Sequence, residues 1–343
     1  MKDESSPIFV GGTGRSGTTI MEQFLNSHSS LVTPVYENKL IVEEGGIRSL
    51  VENLSKGYDY KGNHYAISNF IKWADTLQKS GFKNKIASFV YRGANKSAYF
   101  LTKKRIPASQ ACRILPFFDF SLIGIGQSIG LSHYKCCVDQ FLADVTGETD
   151  TYGIVDTEGL IRPVYSPATS DRQELLNHVR NFLNSLNKTK MEKVRAQRWC
   201  DGTPINARYA NFLLELYPAG KVIHMVRDPR DVAASYSEQS WASSSLELTC
   251  TRLKLQYLEL IKSEQRLPKQ NFQTFKLEEF ALEPNIKKIE LCDFLNLDPN
   301  GFDGSIKFEA SSFGRWKKKF SSNEVQMIES QLGEAIAHFG YAS

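Results

Sequence analysis

What this sequence lacks narrows its chemistry first. Its 343 residues hold six cysteines, at 112, 136, 137, 200, 250 and 292, with no two in a C-x-x-C pair. That spacing supports neither a zinc site nor a disulfide framework, and buried free thiols in a reducing compartment are expected. No charge of one sign dominates. The 42 basic and 38 acidic residues leave a formal net charge of +4, too balanced to drive binding to nucleic acid or to a membrane surface. No apolar run is long enough to span a bilayer: the greasiest stretch, residues 114–126, is short and contains Asp119. Met1–Pro7 is polar and runs into a strand pattern, without the apolar centre of a secretory signal. Internal repeats and low-complexity linkers are missing as well. The expectation is a cytoplasmic protein with no nucleic-acid and no membrane partner. What is present is an apolar fraction of 41%, with 11% aromatic residues, enough to bury a sizeable core.

The hydrophobic pattern reads as strands alternating with helices. "IFVGG" (Ile8–Gly12) is a short apolar run closing in glycines, as a buried parallel strand does. Ile20, Met21, Phe24 and Leu25 form a helical stripe over residues 18–27. "LVTPV" (Leu31–Val35) predicts a second strand, weakened by Pro34. Residues 40–198 read as helical pieces near 69–78, 127–143 and 172–186, joined by loops. From Trp199 the signal sharpens. Ile205, Tyr209, Phe212, Leu213 and Leu216 line one helix face that stops at Pro218, and a strand follows over 221–226. Asp228 caps a helix with Pro229 at its first position. Further segments are a long helix over 246–267, a strand over 272–277 and a helix over 284–295. The last helix opens on the capping box Ser321-x-x-Glu324. Such alternation implies an α/β fold with a central, mostly parallel sheet covered on both faces.

Residues 12–19 follow the phosphate-loop pattern G-x-x-x-x-G-K-[ST] at Gly12, Gly17 and Thr19, but Thr18 stands where the lysine belongs. The backbone logic survives the substitution. Gly14 and Gly17 let the chain wrap so that N–H groups of residues 14–19 point inward, and a helix N-terminus adds positive potential. Ser16, Thr18 and Thr19 fall within the same loop, and the two threonines add hydroxyl donors. What is lost is the cation that reaches the β/γ-phosphates of ATP, which counts against a phosphotransferase. Arg15 lies inside the loop instead, placed to meet an oxygen bridging a phosphate to another group.

A second anchor lies in "KVIHMVRDPRDVAASY" (Lys221–Tyr236). Arg227 stands at the carboxyl end of a strand, where open parallel sheets bind ligands. Ser235 follows about two turns into the next helix. Such a pair can clamp a second phosphate, the arginine by bidentate contact. Two separated clamps point to a nucleotide phosphorylated at both ends of its ribose. "RSGTT" (residues 15–19) and "VRDPRD" (residues 226–231) together resemble the sulfotransferases that use 3′-phosphoadenosine 5′-phosphosulfate, PAPS. "FKLEEFALEPNIKKIELCDFLNL" and "SSFGRWKKKFSSNEVQMIE" are similar to that family's C-terminal segments. The resemblance covers the first 40 residues and most of the chain after Trp199, not the middle. The N-terminal stretch is most similar to tyrosylprotein sulfotransferases and their bacterial relatives.

The resemblance implies a three-layer fold like that of P-loop NTPases. Residues 1–343 would be one domain, with residues 40–198 an insertion forming the acceptor pocket and lid. It implies that Gly14, Arg15, Ser16, Gly17, Thr18 and Thr19 hold the 5′-phosphosulfate, and that Arg227, Ser235 and Arg315 hold the 3′-phosphate. It also implies that Arg15 assists departure of the 5′-phosphate and that Glu37, in "VYENK", is the base, with Tyr36 a neighbouring contact. Three positions depart from the family. Gly202 in "WCDGTP" replaces a lysine, for which Arg198 is a candidate substitute. Leu277 replaces a tyrosine. Gly314 and Arg315 replace Ser-Lys. His64 and His133, in the middle segment, are alternative bases, whereas His28 and His224 read as structural.

The expected function is sulfuryl transfer from PAPS to a hydroxyl or amine of a small molecule or natural product. The alternatives are a glycan or tyrosyl-peptide acceptor, or a PAPS-binding protein without catalysis. The middle segment carries a basic run, Lys83–Arg105, and an acidic run, Asp144–Glu158, which would suit acceptors of opposite charge.

Overall fold

The computed structural model describes residues 6–35, 37–78, 125–147, 150–155, 161–239 and 242–341, with isolated positions between 90 and 101. The chain begins with β1 (Ile8–Gly12), α1 (Thr18–Asn26) and β2 (Leu31–Val32). A helical stretch follows: α2 (Lys39–Val42), α3 (Ile47–Leu54), α4 (Tyr60–Gln78), α5 (Ile125–Ile129) and α6 (Leu131–Val145). Next come β3 (Asp150–Val155), β4 (Ile161–Val164), α7 (Arg172–Val194) and β5 (Arg198–Asp201). A 3₁₀ turn over Pro204–Ala207 leads to α8 (Ala210–Leu216), β6 (Lys221–Val226) and α9 (Pro229–Tyr236). The chain continues through α10 (Leu246–Arg266), β7 (Phe272–Lys276), α11 (Leu277–Leu282) and α12 (Pro284–Leu295). It closes with α13 (Trp316–Lys319) and α14 (Ser322–His338).

Five strands make one sheet in the order β2-β5-β1-β6-β7, and every pairing in it is parallel. Side chains alternate faces along each strand. Phe9, Trp199, Val222 and Phe272 therefore join a core with Val51, Phe70, Phe141, Leu183 and Leu213. Ile8, Val10, Ile223, Met225 and Phe275 face the other way, onto Met21, Leu25, Phe280 and Leu295. Helices cover both faces, which is the three-layer arrangement expected. The crossovers run to opposite sides of β1, so its carboxyl end is the switch point where such sheets bind ligands.

Several boundaries differ from the sequence reading. β2 stops at Val32, before Pro34, which has no N–H to donate to a ladder. β5 was hidden because only four residues, two of them charged, make the strand. The helix predicted over 205–216 splits into the 3₁₀ turn and α8. The piece near 127–143 breaks at Gly130, whose φ of 103° does not continue a helix. The acidic run contains β3, antiparallel to β4. The basic run Lys83–Arg105 lies largely outside the described residues. The capping box at Ser321 and Glu324 forms in both directions. Among the described residues, no helix is long and apolar enough to cross a membrane.

The 3₁₀ turn is wedged against β1. A methyl group at Gly11 would sit 2.2 Å from the Ala207 amide nitrogen and 3.0 Å from the Pro204 carbonyl oxygen. Both are backbone atoms that cannot rotate aside. Gly11→Ala is expected to lower unfolding free energy by roughly 1–3 kcal/mol, the usual scale of overpacking. Urea denaturation checks this, and an unchanged midpoint would show that the turn yields.

Candidate active site

β1 delivers the chain into the loop at 13–17, where Gly14, Arg15 and Gly17 all adopt positive φ (75°, 57° and 99°). Glycine takes that conformation at little cost, and Arg15 takes it against its own steric preference. α1 then starts at Thr18. Among the described residues no side chain caps its N-terminus and no acidic residue lies in its first turn. Those N–H groups are left for an anion. The Ser16 hydroxyl is 1% exposed and has no hydrogen-bond partner among the described residues. A buried donor of this kind normally has a partner, and a phosphate oxygen would supply it. The loop therefore fits the 5′-phosphate end of the expected nucleotide.

The second anchor meets the loop directly. Arg227, buried at the end of β6, lies 3.5 Å through Nη1 from the Arg15 carbonyl oxygen and 3.8 Å through Nη2 from Asp231 Oδ2. Burial lowers its pKa; Asp231 and Glu278 oppose that shift, and Arg315 and Arg15 add to it. These groups all surround one guanidinium. Arg15 Nε donates to Ser235 Oγ at 3.0 Å, so the loop arginine reaches across to the expected 3′-phosphate serine. The Tyr236 hydroxyl donates to the Thr13 carbonyl at 2.6 Å, tying α9 to the loop a second time. Asp231 accepts from the amides of Gly314 and Trp316 at 2.7 and 3.1 Å and pins the C-terminal segment beside Arg227. Arg315 itself is exposed, and its Nη2 donates to both carboxylate oxygens of Glu238, at 2.7 and 2.8 Å.

Glu37 falls on the same rim, beyond β2, with φ of 49° and Lys39 Nζ 3.9 Å from its Oε2. Tyr36 lies outside the described residues. The next residue, Asn38, donates its amide N–H to Asp201 Oδ1 at 3.1 Å. A second carboxyl, Glu22 of α1, is buried beside Asp201. Its Oε1 accepts from the Gly202 amide at 2.9 Å, and its Oε2 has no partner among the described residues. Burial pushes Glu22 up to about 8, with Asp201 and then Glu37 raising it further. Asp201, also fully buried, is pushed up to about 6 despite its donors.

This pair explains the departure at 202. A methyl group built on Gly202 would lie 2.3 Å from Glu22 Cδ and Oε2. The space a lysine stem would need is filled by a carboxyl group. Arg198 does not replace that lysine. It sits at the opposite, amino edge of the sheet, with Nε on the Ser6 carbonyl and Nη1 on the Leu295 carbonyl, both at 2.6 Å. Leu277 packs its methyls beneath Gly17, an apolar contact in place of a tyrosine hydroxyl.

The histidines are held elsewhere. His64 Nδ1 accepts from the Tyr165 amide at 3.1 Å and its ring stacks on Tyr165. The His133 Nε2 position lies 3.0 Å from the Ser185 carbonyl on α7. His28 bonds the Asp298 carbonyl at 3.0 Å, and His224 is buried among Phe272, Phe339 and Thr274. Sequence reading missed Glu22 and Asp201. The available signal was an acidic residue beside the apolar stripe of α1, together with a glycine in place of the expected long cation.

A family profile described as "Sulfotransferase family" matches residues 7–115 and 148–301. No curated protein matches the sequence. Similar solved structures include the sulfotransferase domain from the Synechococcus PCC 7002 olefin synthase. It is 13% identical with a TM-score of 0.47, covering 98% of this chain and 96% of that one. The sulfotransferase domain from the curacin biosynthetic pathway is 14% identical with a TM-score of 0.46, covering 96% and 97%. Sulfotransferase STF9 from Mycobacterium avium is 12% identical with a TM-score of 0.42, covering 97% and 76%.

The buried carboxyl of Glu22 gives the site a measurable signature. Its folded pKa lies above the ordinary value of 4.5, at about 8, so the folded state holds a proton that the unfolded chain releases. Stability from this group is complete below about 4.5 and is lost as pH rises through about 8. Glu22→Gln removes that dependence. The melting temperature of the variant is expected to gain on wild type steadily from pH 5 to pH 8.5, by a few degrees for each ~1 kcal/mol regained. Parallel curves across that range would place no titrating proton on Glu22.

Proposed function

The chain belongs to the sulfotransferase family, and we propose that its donor is PAPS and its acceptor a hydroxyl or amine of a small molecule. The observation that carries the donor assignment is the pair of anion clamps on one rim, joined by the Arg15–Ser235 hydrogen bond. PAPS supplies the sulfuryl group and leaves as its 3′,5′-bisphosphate, PAP. The N–H groups of residues 14–19, the Ser16, Thr18 and Thr19 hydroxyls and the start of α1 hold the 5′-phosphate. Arg227, Ser235 and Arg315 hold the 3′-phosphate, which ATP lacks, and so select the donor. The acceptor atom bonds to sulfur as the bond from sulfur to the phosphate oxygen breaks. Glu37 takes the acceptor's proton on its carboxylate. Arg15 neutralises the charge that grows on the departing phosphate, and rate enhancement is mainly alignment and charge stabilisation.

Residues 40–198 would shape the acceptor pocket and its lid. Carboxyl groups gather around Glu37 and no lysine stands at 202, which favours a neutral or amine-bearing acceptor over an anionic glycan. The reading includes a cytoplasmic location. The test is incubation with ³⁵S-labelled PAPS and a panel of phenols, aliphatic alcohols, amines, glycans and tyrosyl peptides. Labelled product is expected with a phenol, alcohol or amine. Tight PAP binding with no transfer to any acceptor would reduce the chain to a nucleotide-binding protein.

Two substitutions probe the assigned roles. Arg227→Ala is expected to weaken PAP binding by about 1.5–3 kcal/mol, the worth of a charged hydrogen bond, and to leave 5′-AMP binding nearly unchanged. Calorimetry showing equal losses for both nucleotides would remove the 3′-phosphate assignment. Glu37→Gln keeps size and one acceptor oxygen but takes no proton at neutral pH. It is expected to lower kcat and kcat/KM together by roughly 10²–10⁴ with PAPS affinity intact.

A further inference from the structure

We propose that Asp201 is a positioning residue for Glu37, holding the strained turn that presents the base on the catalytic rim. The proposal rests on the reading of Glu37 as the base and adds what keeps that base in place. Glu37 adopts φ of 49°, a left-handed conformation that residues with a Cβ avoid. Strain of this kind persists only where neighbouring contacts over-determine it. The contact immediately beyond Glu37 is the Asn38 amide on Asp201 Oδ1, at 3.1 Å. The Asn38 side chain then accepts from the Leu40 amide at 3.2 Å and opens α2. The turn is thus gripped on its C-terminal side by one carboxylate.

Asp201 is itself held rigidly. It is 1% exposed and closes β5, which pairs with β1 at Phe9↔Asp201. Oδ1 also accepts from the Thr203 amide at 3.1 Å and from Thr203 Oγ1 at 2.8 Å. Oδ2 accepts from Asn206 Nδ2 at 3.1 Å, and the same nitrogen reaches the Asp201 carbonyl at 3.0 Å. These donors fix the carboxylate plane, and an unbroken path of contacts runs from the central strand to Glu37. An ionised acceptor grips a backbone N–H about twice as strongly as a neutral one. Glu22 sits close by with its Oε2 unpartnered among the described residues. When two carboxyl groups share a dry site, one carries the proton. Glu22 takes it, and Asp201 remains the acceptor that the turn needs.

The test measures Asp201→Asn and Asp201→Ala beside Glu37→Gln, using the best acceptor of the panel above. Three readouts are followed: kcat against KM, PAP affinity by calorimetry, and amide hydrogen exchange of the peptide spanning residues 34–42. Asp201→Ala is expected to lower kcat by roughly 10- to 100-fold, the scale of a misplaced catalytic group. PAP affinity should hold and the 34–42 amides should exchange faster. Asp201→Asn leaves only a neutral acceptor for the Asn38 amide and turns a donor toward Asn206 Nδ2, so it is expected to lower kcat in the same direction with PAP affinity intact. Glu37→Gln combined with Asp201→Asn should be no slower than Glu37→Gln alone, because Asp201 acts through Glu37. Where Asp201→Ala does not fold, Asp201→Asn carries the same comparison. Multiplying losses, wild-type turnover in Asp201→Asn, or PAP affinity falling in step with kcat would each overturn the proposal. Glu37→Gln at the wild-type rate would instead sink the base assignment on which it rests.

Discussion

Everything at this site depends on β1 being paired in parallel with β5 on one side and β6 on the other. The register sets Phe9 opposite Asp201 and Gly12 opposite Met225, so β1 and β6 end level while β5 ends three residues earlier and hands the chain to the turn at Pro204–Ala207. Parallel strands point all their carboxyl ends the same way. The loop and Arg227 thereby come into contact, Arg227 Nη1 lying 3.5 Å from the Arg15 carbonyl, while Asp201 stands on the other side of β1. A slip in that register would move every side chain to the wrong face and would separate the two clamps.

The rim carries charges of both signs in a deliberate division. On the β6 side stand the cations Arg15, Arg227 and Arg315, with Arg15 and Arg315 both acting on the Arg227 guanidinium. Asp231 lies 3.8 Å from Arg227, and Glu238 pairs with Arg315 at 2.7 Å. On the β5 side the charges are carboxyl groups: Glu37, Asp201 and Glu22. Taking a carboxylate out of water is costly unless donors surround it. Asp201 meets that cost with amide, hydroxyl and side-chain amide donors. Glu22, with one donor, avoids it by keeping a proton at neutral pH, as its rise to about 8 indicates. The missing lysine at 202 belongs to the same arrangement, since its space holds the Glu22 carboxyl.

A large part of the fold was legible in the sequence. The β1 run, the stripe of α1, the Asp228–Pro229 cap, the helix at Pro284–Leu295 and the Ser321 capping box all rest on interactions within a few residues. Local rules suffice there. The phosphate loop was legible for the same reason: its glycines and the helix start are contiguous, and its anion-binding logic is a property of the backbone. The pairing of the loop with Arg227 and Ser235 was read from a strand-end arginine and a serine two turns on, then from the resemblance, and the hydrogen bond from Arg15 to Ser235 spans 220 residues.

What the sequence left undetermined depends on distant contacts. β5 has too few residues to announce itself and exists because β1 and β2 flank it. Arg198 looked like a substitute cation near the motif, yet the strand's direction carries it to the far edge of the sheet. No local pattern marks Glu22 or Asp201, because burial, not spacing, gives each its character. The sequence by itself determined the loop, the caps and the alternation of strands with helices, all short-range matters of periodicity and turn chemistry. Only the tertiary structure decided which carboxyl group keeps its proton, which one grips the Glu37 turn and that the Glu22 carboxyl fills the space beside Gly202. Those answers depend on desolvation and on close approach between segments remote in the chain.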